Sequence, residues 1–315
     1  MPETNAPQIK PKTKPRALRP GDTIAIVAPA GPIASREPFD RGVATLERLG
    51  FRVRFDDRVF QSVRYLAGCD ADRAEELTRA VQDPSVQAIM ALRGGYGSAR
   101  LIPLLDERRL RPHPKIFMGF SDLMTLHLLF NKWGWITFHG PMAANTAFAE
   151  MTEDQTRHLV SLWTDLDYRP TLRFAETKPW ASGAAEGVLT GGCLSLVAAS
   201  LGTAYEIETE GRILFLEDVG EPPYRIDRMI THLRLAGKLD AAAGILLGQF
   251  RACEPSQGGY AIADVLQDVL SGLAVPILAD FPAGHGRDNW ALPLGVRVRL
   301  DADAQTLRFL ESAVA

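Results

Sequence analysis

Cysteine is scarce in this chain. The 315 residues contain three, Cys69, Cys193 and Cys253, with no Cys-x-x-Cys pair. An odd, widely spaced set offers neither a disulfide framework nor a thiolate zinc site, and it fits a reducing compartment, the cytoplasm. An excess of charge is also lacking: 35 Lys and Arg stand against 38 Asp and Glu. Nothing in that balance calls for nucleic acid or another polyanion as a partner. No apolar run is long enough to cross a bilayer, and the first twenty residues have no apolar signal-peptide centre. They are polar and proline-rich instead, with Lys10, Lys12, Lys14 and Arg16 interleaved with Pro11 and Pro15. A disordered leader over residues 1–20 is the expectation. The hydrophobic share, 46%, suffices for one large core or two of ordinary size.

From residue 23 to about 140, strand-like and helix-like segments alternate. Thr23–Pro29, Arg52–Phe55, Val86–Leu92, Lys115–Phe120 and Trp135–His139 read as strands. Arg36–Leu49, Asp70–Val81, Ser98–Leu105 and Asp122–Trp133 carry helical spacing. Alternation of this kind builds βα units around a mostly parallel sheet. The stretch 168–184 has prolines, glycine and few apolar clusters, and reads as a linker. Beyond it strands and helices mix without strict alternation: Arg212–Glu217, Gly244–Phe250 and Val275–Ala279 as strands, Leu194–Leu201, Tyr224–Leu235 and Ile262–Leu273 as helices. Val296–Leu300 and Thr306–Leu310 alternate with period two around an Asp-Ala-Asp turn, a closing hairpin. The predicted fold class is α/β: an N-terminal βα-type domain over 21–167 with a mostly parallel sheet, the linker 168–184, and a smaller mixed α/β domain over 185–315.

Ser121 sits between a strand and a helix in Gly119-Phe120-Ser121-Asp122. A serine at such a turn exposes its hydroxyl at the carboxyl edge of the sheet, where open α/β sheets place their chemistry. Read from this motif alone, helix capping explains it better, and Gly-x-Ser-Asp is not the Gly-x-Ser-x-Gly of the α/β-hydrolases. Arg93-Gly94-Gly95-Tyr96-Gly97 ends a strand with a backbone nearly free of β-carbons, suited to an oxyanion or to a plain tight turn; it lacks the Gly-Lys-Ser/Thr ending of a phosphate loop. Among six histidines, His285 stands out between Gly284 and Gly286, where glycines leave it mobile and open. His139, which ends a strand in His139-Gly140-Pro141, is its rival. His127 and His232 fall within amphipathic helices, and His113 lies in a loop. Glu217 closes the apolar run Ile213–Leu216, where an unpaired carboxylate is costly; Asp218 is the alternative. No group of His, Cys and carboxylates has metal-ligand spacing.

Taken in order, these segments resemble the L,D-carboxypeptidase family, which also includes the microcin C immunity hydrolases. The resemblance runs from about Gly21 to the final hairpin. It is carried by Ile26-Val27-Ala28-Pro29-Ala30-Gly31, the Arg93–Gly97 turn with Ser98-Ala99-Arg100-Leu101, Gly119-Phe120-Ser121-Asp122 and Phe138-His139-Gly140-Pro141-Met142. The block Leu216–Arg228, Gly284-His285-Gly286 and Leu292-Pro293-Leu294-Gly295 complete it. The resemblance implies a serine carboxypeptidase with Ser121, Glu217 and His285 as its triad, assembled at the domain junction, and an oxyanion hole of backbone N–H groups from Asp122 and Gly94 or Gly95. It implies hydrolysis of the bond between meso-diaminopimelate and terminal D-alanine in muropeptide tetrapeptides during cell-wall recycling. No cofactor or metal is expected, and a homodimer is. The alternatives are an immunity-type hydrolase of peptidyl-nucleotides, with Trp180 or Trp290 to stack on the base, and a catalytically inactive ligand-binding module. Two departures stand out. Cys193 occupies the place where relatives often carry Asn in Gly-Gly-Asn-Leu, and a thiol does not make an amide's hydrogen bonds. The loop Arg287–Trp290 lacks the common proline.

Overall fold

The computed structural model describes residues 12–315. Of the expected leader, residues 1–11 lie outside the described residues. Residues 12–20 are packed, which corrects the expectation of disorder there. Thr13 bridges to Trp135, the Ala17 N–H donates to the Ala315 carbonyl at 2.9 Å, and the Ala315 N–H donates to the Pro15 carbonyl at 2.9 Å. Leu18 is buried in the core. Backbone pairing to the end of the chain supplies what the polar composition does not advertise.

The alternating segments form β1 (Thr23–Val27), β2 (Arg52–Arg54), β3 (Ala88–Ala91), β4 (Ile116–Gly119) and β5 (Thr137–His139). β6 (Thr171–Arg173) and β7 (Lys178–Ala181) follow, then β8 (Ala184–Cys193), β9 (Arg212–Val219), β10 (Gly244–Arg251) and β11 (Ile277–Ala279). The last three strands are β12 (Leu292–Leu294), β13 (Arg297–Asp301) and β14 (Thr306–Phe309). The first sheet has the order β12-β5-β4-β3-β1-β2; the second has the order β6-β14-β13-β8-β9-β10-β11-β7. Within the first, β1 to β5 pair in parallel, as alternation with helices requires. β3 and β4 are buried at every position, the mark of a parallel sheet covered on both faces.

Two expectations change. The stretch 168–184 contains β6 and β7, which pair antiparallel to β14 and β11. As short edge strands they carry little of the alternating apolar signal by which strands are read. With them the C-terminal sheet has eight strands against six, so in strand number it is the larger. The second change is β12, a three-residue strand with a central proline. It returns from the C-terminal half to pair antiparallel with β5, Leu292 opposite His139. The hairpin β13–β14 pairs as expected, Val298 opposite Phe309.

One continuous cluster of buried residues joins the facing sides of the two sheets, from Ile24, Met90 and Met118 to Leu189, Phe215 and Leu246. A second cluster lies on the far face of the first sheet, where Leu77 and Val81 of the helix Asp70–Gln82 and Leu126 and Phe130 of the helix Met124–Lys132 pack. The carboxyl end of β4 and the ends of β9 and β11 therefore meet across a shared core.

Candidate active site

Ser121 follows β4 at a backbone φ of 63°, the left-handed region that a non-glycine residue adopts at a cost of about 1–3 kcal/mol. It opens a single 3-10 turn, Ser121–Leu123, which runs into the helix Met124–Lys132. No side-chain cap is made at either start, so capping, the simpler reading of the motif, does not explain the serine. Its side chain is partly exposed, between buried neighbours Phe120 and Asp122.

The glycine turn lies against it. A β-carbon on Gly94 would sit 2.9 Å from Ser121 Cβ, 3.0 Å from its Oγ and 3.5 Å from the Asp122 nitrogen, so only a glycine lets the turn approach this closely. The Gly94 carbonyl accepts from the Gly31 N–H at 3.1 Å. In a trans peptide plane this turns the Gly95 N–H the opposite way. Asp122 then latches the turn: its Oδ2 accepts from the Ser98 N–H at 2.8 Å and its carbonyl from the Ser98 hydroxyl at 2.6 Å. The buried Arg73 guanidinium adds bonds to the Pro29 and Gly97 carbonyls. Burial raises the Asp122 carboxyl above its ordinary range, with the Ser98 hydrogen bonds opposing. The latching role of the Asp122 side chain and of Arg73 has no signal in the sequence, because their partners are distant in the chain: Ser98 for Asp122, and the Pro29 and Gly97 carbonyls for Arg73.

Glu217, fully buried near the end of β9, accepts from His285 Nδ1 at 2.6 Å through Oε2. The same oxygen accepts from the His285 backbone N–H at 3.2 Å. Burial by itself would raise the Glu217 carboxyl; the imidazoles of His139 and His285 outweigh it and hold it at about 2. Of the two rings, His285 is the hydrogen-bonded one, and His139 Nε2 stands 3.7 Å from Oε1. Asp218, the alternative carboxylate, faces elsewhere. It accepts from the Ser195 and Val219 N–H groups, each at 2.8 Å, and from the Cys193 thiol at 3.5 Å. Burial raises it, and neighbouring Glu217 adds to that. Cys193 pairs with Glu217 across β8 and β9. Its thiol is pushed well above its ordinary value by burial and then by the two carboxylates, so it is neutral and tethers Asp218.

The glycines around His285 act through close approach. A β-carbon on Gly284 (φ 111°) would collide with the Glu217 carboxylate, and one on Gly286 with the Gln249 amide. Gly284 is thus a packing requirement where the sequence suggests mobility, whereas the Gln249 amide beside Gly286 is the end of a flexible, half-buried side chain. The His285 side chain is 13% exposed, and its ring packs on Phe120 at 4.8 Å between centroids. Ser121, Gly94, Gly95 and His285 line one cavity of about 360 Å³. Phe120, Ala144, Asn145 and His285 also line an adjoining groove of about 1170 Å³. The groove carries Trp180, Lys178, Arg251 and Arg287; Lys178 is already paired with Asp280 at 2.8 Å. Trp290 lies instead on Phe174 and His158, at 4.8 and 5.1 Å. His127 and His158 are buried, pushed down to about 3 and about 4 by burial.

A hydroxyl on a strained turn, an imidazole whose Nδ1 is tied to a carboxylate and whose Nε2 is left for proton transfer, and a turn of backbone N–H groups can together activate a hydroxyl and receive an oxyanion. Residues 24–140 match the family model of the LD-carboxypeptidase N-terminal domain and residues 186–300 that of its C-terminal domain. The "Probable murein peptide carboxypeptidase" of Bacillus subtilis is 35% identical over 297 residues, 93% of each chain. Among solved structures, the muramoyltetrapeptide carboxypeptidase from Oxalobacter formigenes has a TM-score of 0.80 at 29% identity, covering 91% of this chain and 97% of that one. The microcin C7 self-immunity protein MccF, in complex with aspartyl sulfamoyl adenosine, has a TM-score of 0.90 at 26% identity, covering 96% and 100%.

Proposed function

Since the chain belongs to the LD-carboxypeptidase family, we propose that it is a serine L,D-carboxypeptidase that removes the terminal D-alanine from muropeptide tetrapeptides, with Ser121, His285 and Glu217 as its triad. One observation carries this reading: the 2.6 Å His285–Glu217 pair opens onto the same cavity as Ser121. His285 Nε2 takes the proton of the Ser121 hydroxyl as Oγ attacks the carbonyl carbon of the scissile amide. Glu217 holds the ring and stabilises the imidazolium. N–H groups of the Gly94-Gly95 turn and of Asp122 receive the oxyanion, charge that develops only in the transition state. His285 then gives its proton to the leaving amine. Water, deprotonated by the same imidazole, cleaves the acyl-enzyme and restores Ser121.

The substrate's free carboxylates call for cations, and Arg251 and Arg287 line the groove beside His285. The reading needs no metal, and activity is expected to survive EDTA. It places the enzyme in the cytoplasm, where recycled muropeptides are processed; the three free cysteines fit that compartment. A homodimer is part of the proposal, to be tested by light scattering. The deciding experiment is incubation with a muropeptide tetrapeptide and measurement of free D-alanine; no release by the folded chain overturns the reading. A second reading, hydrolysis of a peptidyl-nucleotide, draws on Trp180 in the groove and on the likeness to MccF. Aspartyl sulfamoyl adenosine offered in parallel separates the two by which substrate is consumed.

A further inference from the structure

Glu217 has two oxygens and the triad uses one. Among the described residues its Oε1 has no hydrogen-bond partner, and neither ring nitrogen of His139 has one. Both side chains are fully buried, and His139 Nε2 lies 3.7 Å from that Oε1, within about 1 Å of an ordinary N–H···O length. A buried polar atom without a partner is costly, about 1–3 kcal/mol and more for a charged group; here two such atoms face each other with opposite needs. The ring packs edge to face with Phe120 at 5.7 Å and Phe215 at 5.1 Å between centroids. Gly192 is close enough that a β-carbon there would lie 3.3 Å from the ring. Phe120 also packs on His285, so one phenyl ring spaces the two imidazoles on either side of the carboxylate.

We propose that His139 is a positioning residue of the triad: its Nε2–H holds Glu217 Oε1, so that Oε2 stays on His285 Nδ1 while the imidazolium forms and decays. The proposal rests on the Ser121–His285–Glu217 reading given above. The other titratable groups packed around this pair come from three elements. His127, on the helix Met124–Lys132, is kept neutral by burial. Cys193, at the end of β8, holds its proton. Asp218, next on β9, is engaged with Ser195, Val219 and Cys193. Glu217, held ionised at about 2, is the charge that His139 meets.

The sign of the effect follows. A donor on Oε1 shares the carboxylate's charge and weakens its hold on the His285 imidazolium. Without that donor the imidazolium is held more tightly, so the base becomes available only at higher pH. The test uses the full-length enzyme with two substitutions. His139→Phe keeps a ring among the phenylalanines and removes the donor; His139→Gln keeps an N–H donor near the place of Nε2. The readouts are the pH profile of kcat/KM for D-alanine release and the NMR titration midpoint of the His285 ring. In His139→Phe, kcat/KM is expected to fall about tenfold, and both the acid limb and the NMR midpoint to move up by about half a pH unit. His139→Gln should recover most of both. If His139→Phe does not fold, His139→Leu takes its place. An unmoved midpoint and acid limb in a folded donor-free variant overturns the proposal, as does a glutamine variant no better than the phenylalanine one. The NMR midpoint is independent of turnover: its upward shift in a chain that fails to hydrolyse the muropeptide upholds the His139–Glu217–His285 coupling and rejects the carboxypeptidase reading instead.

Discussion

The two halves of the candidate site are held by different physics. On the N-terminal side the backbone positions Ser121: a left-handed φ, a glycine turn at contact distance and a latch from Asp122 to Ser98. On the C-terminal side it is side-chain charge: a buried carboxylate kept ionised by imidazoles and fixed to His285 by two bonds to one oxygen. Neighbours in sequence do not share this treatment. Glu217 and Asp218 are consecutive and both buried, yet the first is held low and the second pushed high. Successive strand residues point to opposite faces, so one meets the histidines and the other meets the Ser195 N–H at the start of a helix and the Val219 N–H of its own strand. Burial alone therefore says nothing about the charge of a carboxylate; the partner on its face decides.

The largest effects should come from breaking each half at its reactive atom. Ser121→Ala and His285→Ala are each expected to lower kcat by a factor of about 10³ or more while the fold remains, as read by D-alanine release and circular dichroism. Near-normal turnover by a folded Ser121→Ala chain would remove the serine from the mechanism. Ser121→Gly sharpens the comparison. It is equally inactive, but it should be more stable than Ser121→Ala by about 1 kcal/mol, because glycine bears the left-handed φ without penalty. Equal denaturation midpoints for the two would show that the turn carries no such cost.

The electrostatic half is tested next. Glu217→Gln removes the charge and keeps the shape. Protonating His285 then loses an anionic neighbour and requires a lower pH, so the acid limb of kcat/KM should move down as the rate falls. Asp218→Asn should leave that limb in place. A pH–rate profile in which Asp218→Asn moves the limb and Glu217→Gln does not would exchange their roles.

Smaller effects separate close approach from backbone freedom within the glycine turn. Gly94→Ala pushes a methyl against Ser121 and should cost activity more than stability. Gly95→Ala must place a side chain at φ 115° and should cost about 1–2 kcal/mol, read as a lowered urea midpoint. The opposite ranking would mean that the turn shapes the fold and not the surroundings of Ser121.

How much of this was legible beforehand depended on where each signal is encoded. β1, β3, β4 and the helices Glu37–Arg48, Asp70–Gln82 and Pro223–Leu235 show in apolar spacing, because each buries a regular face. β6, β7 and β12 do not: three or four residues, with a proline in β7 and in β12, carry no periodicity, and they exist because a sheet edge waits for them. The same holds for residues 12–20, which are ordered by pairing with Gly134, Trp163 and Ala315. At the site, Ser121, Glu217 and His285 could be picked out as residues at strand ends and in a glycine loop, and a family resemblance joined them. His139 appeared only as a rival to His285, since composition cannot express that one carboxylate faces two imidazoles.

By itself the sequence determined the α/β class, the alternation that makes the first sheet parallel, and the residue types available for chemistry, because each is written in local pattern and spacing. The tertiary structure decided which of them meet. Glu217 and His285 are 68 positions apart, and His139 comes to the same carboxylate from the other sheet. The turn of Asp218 toward Ser195, the packing need behind Gly284, and the imidazoles that keep Glu217 charged where burial keeps Cys193 neutral are properties of neighbours in space. Burial and hydrogen bonding act over a few ångströms, and only the folded chain brings residues from two sheets to within that distance.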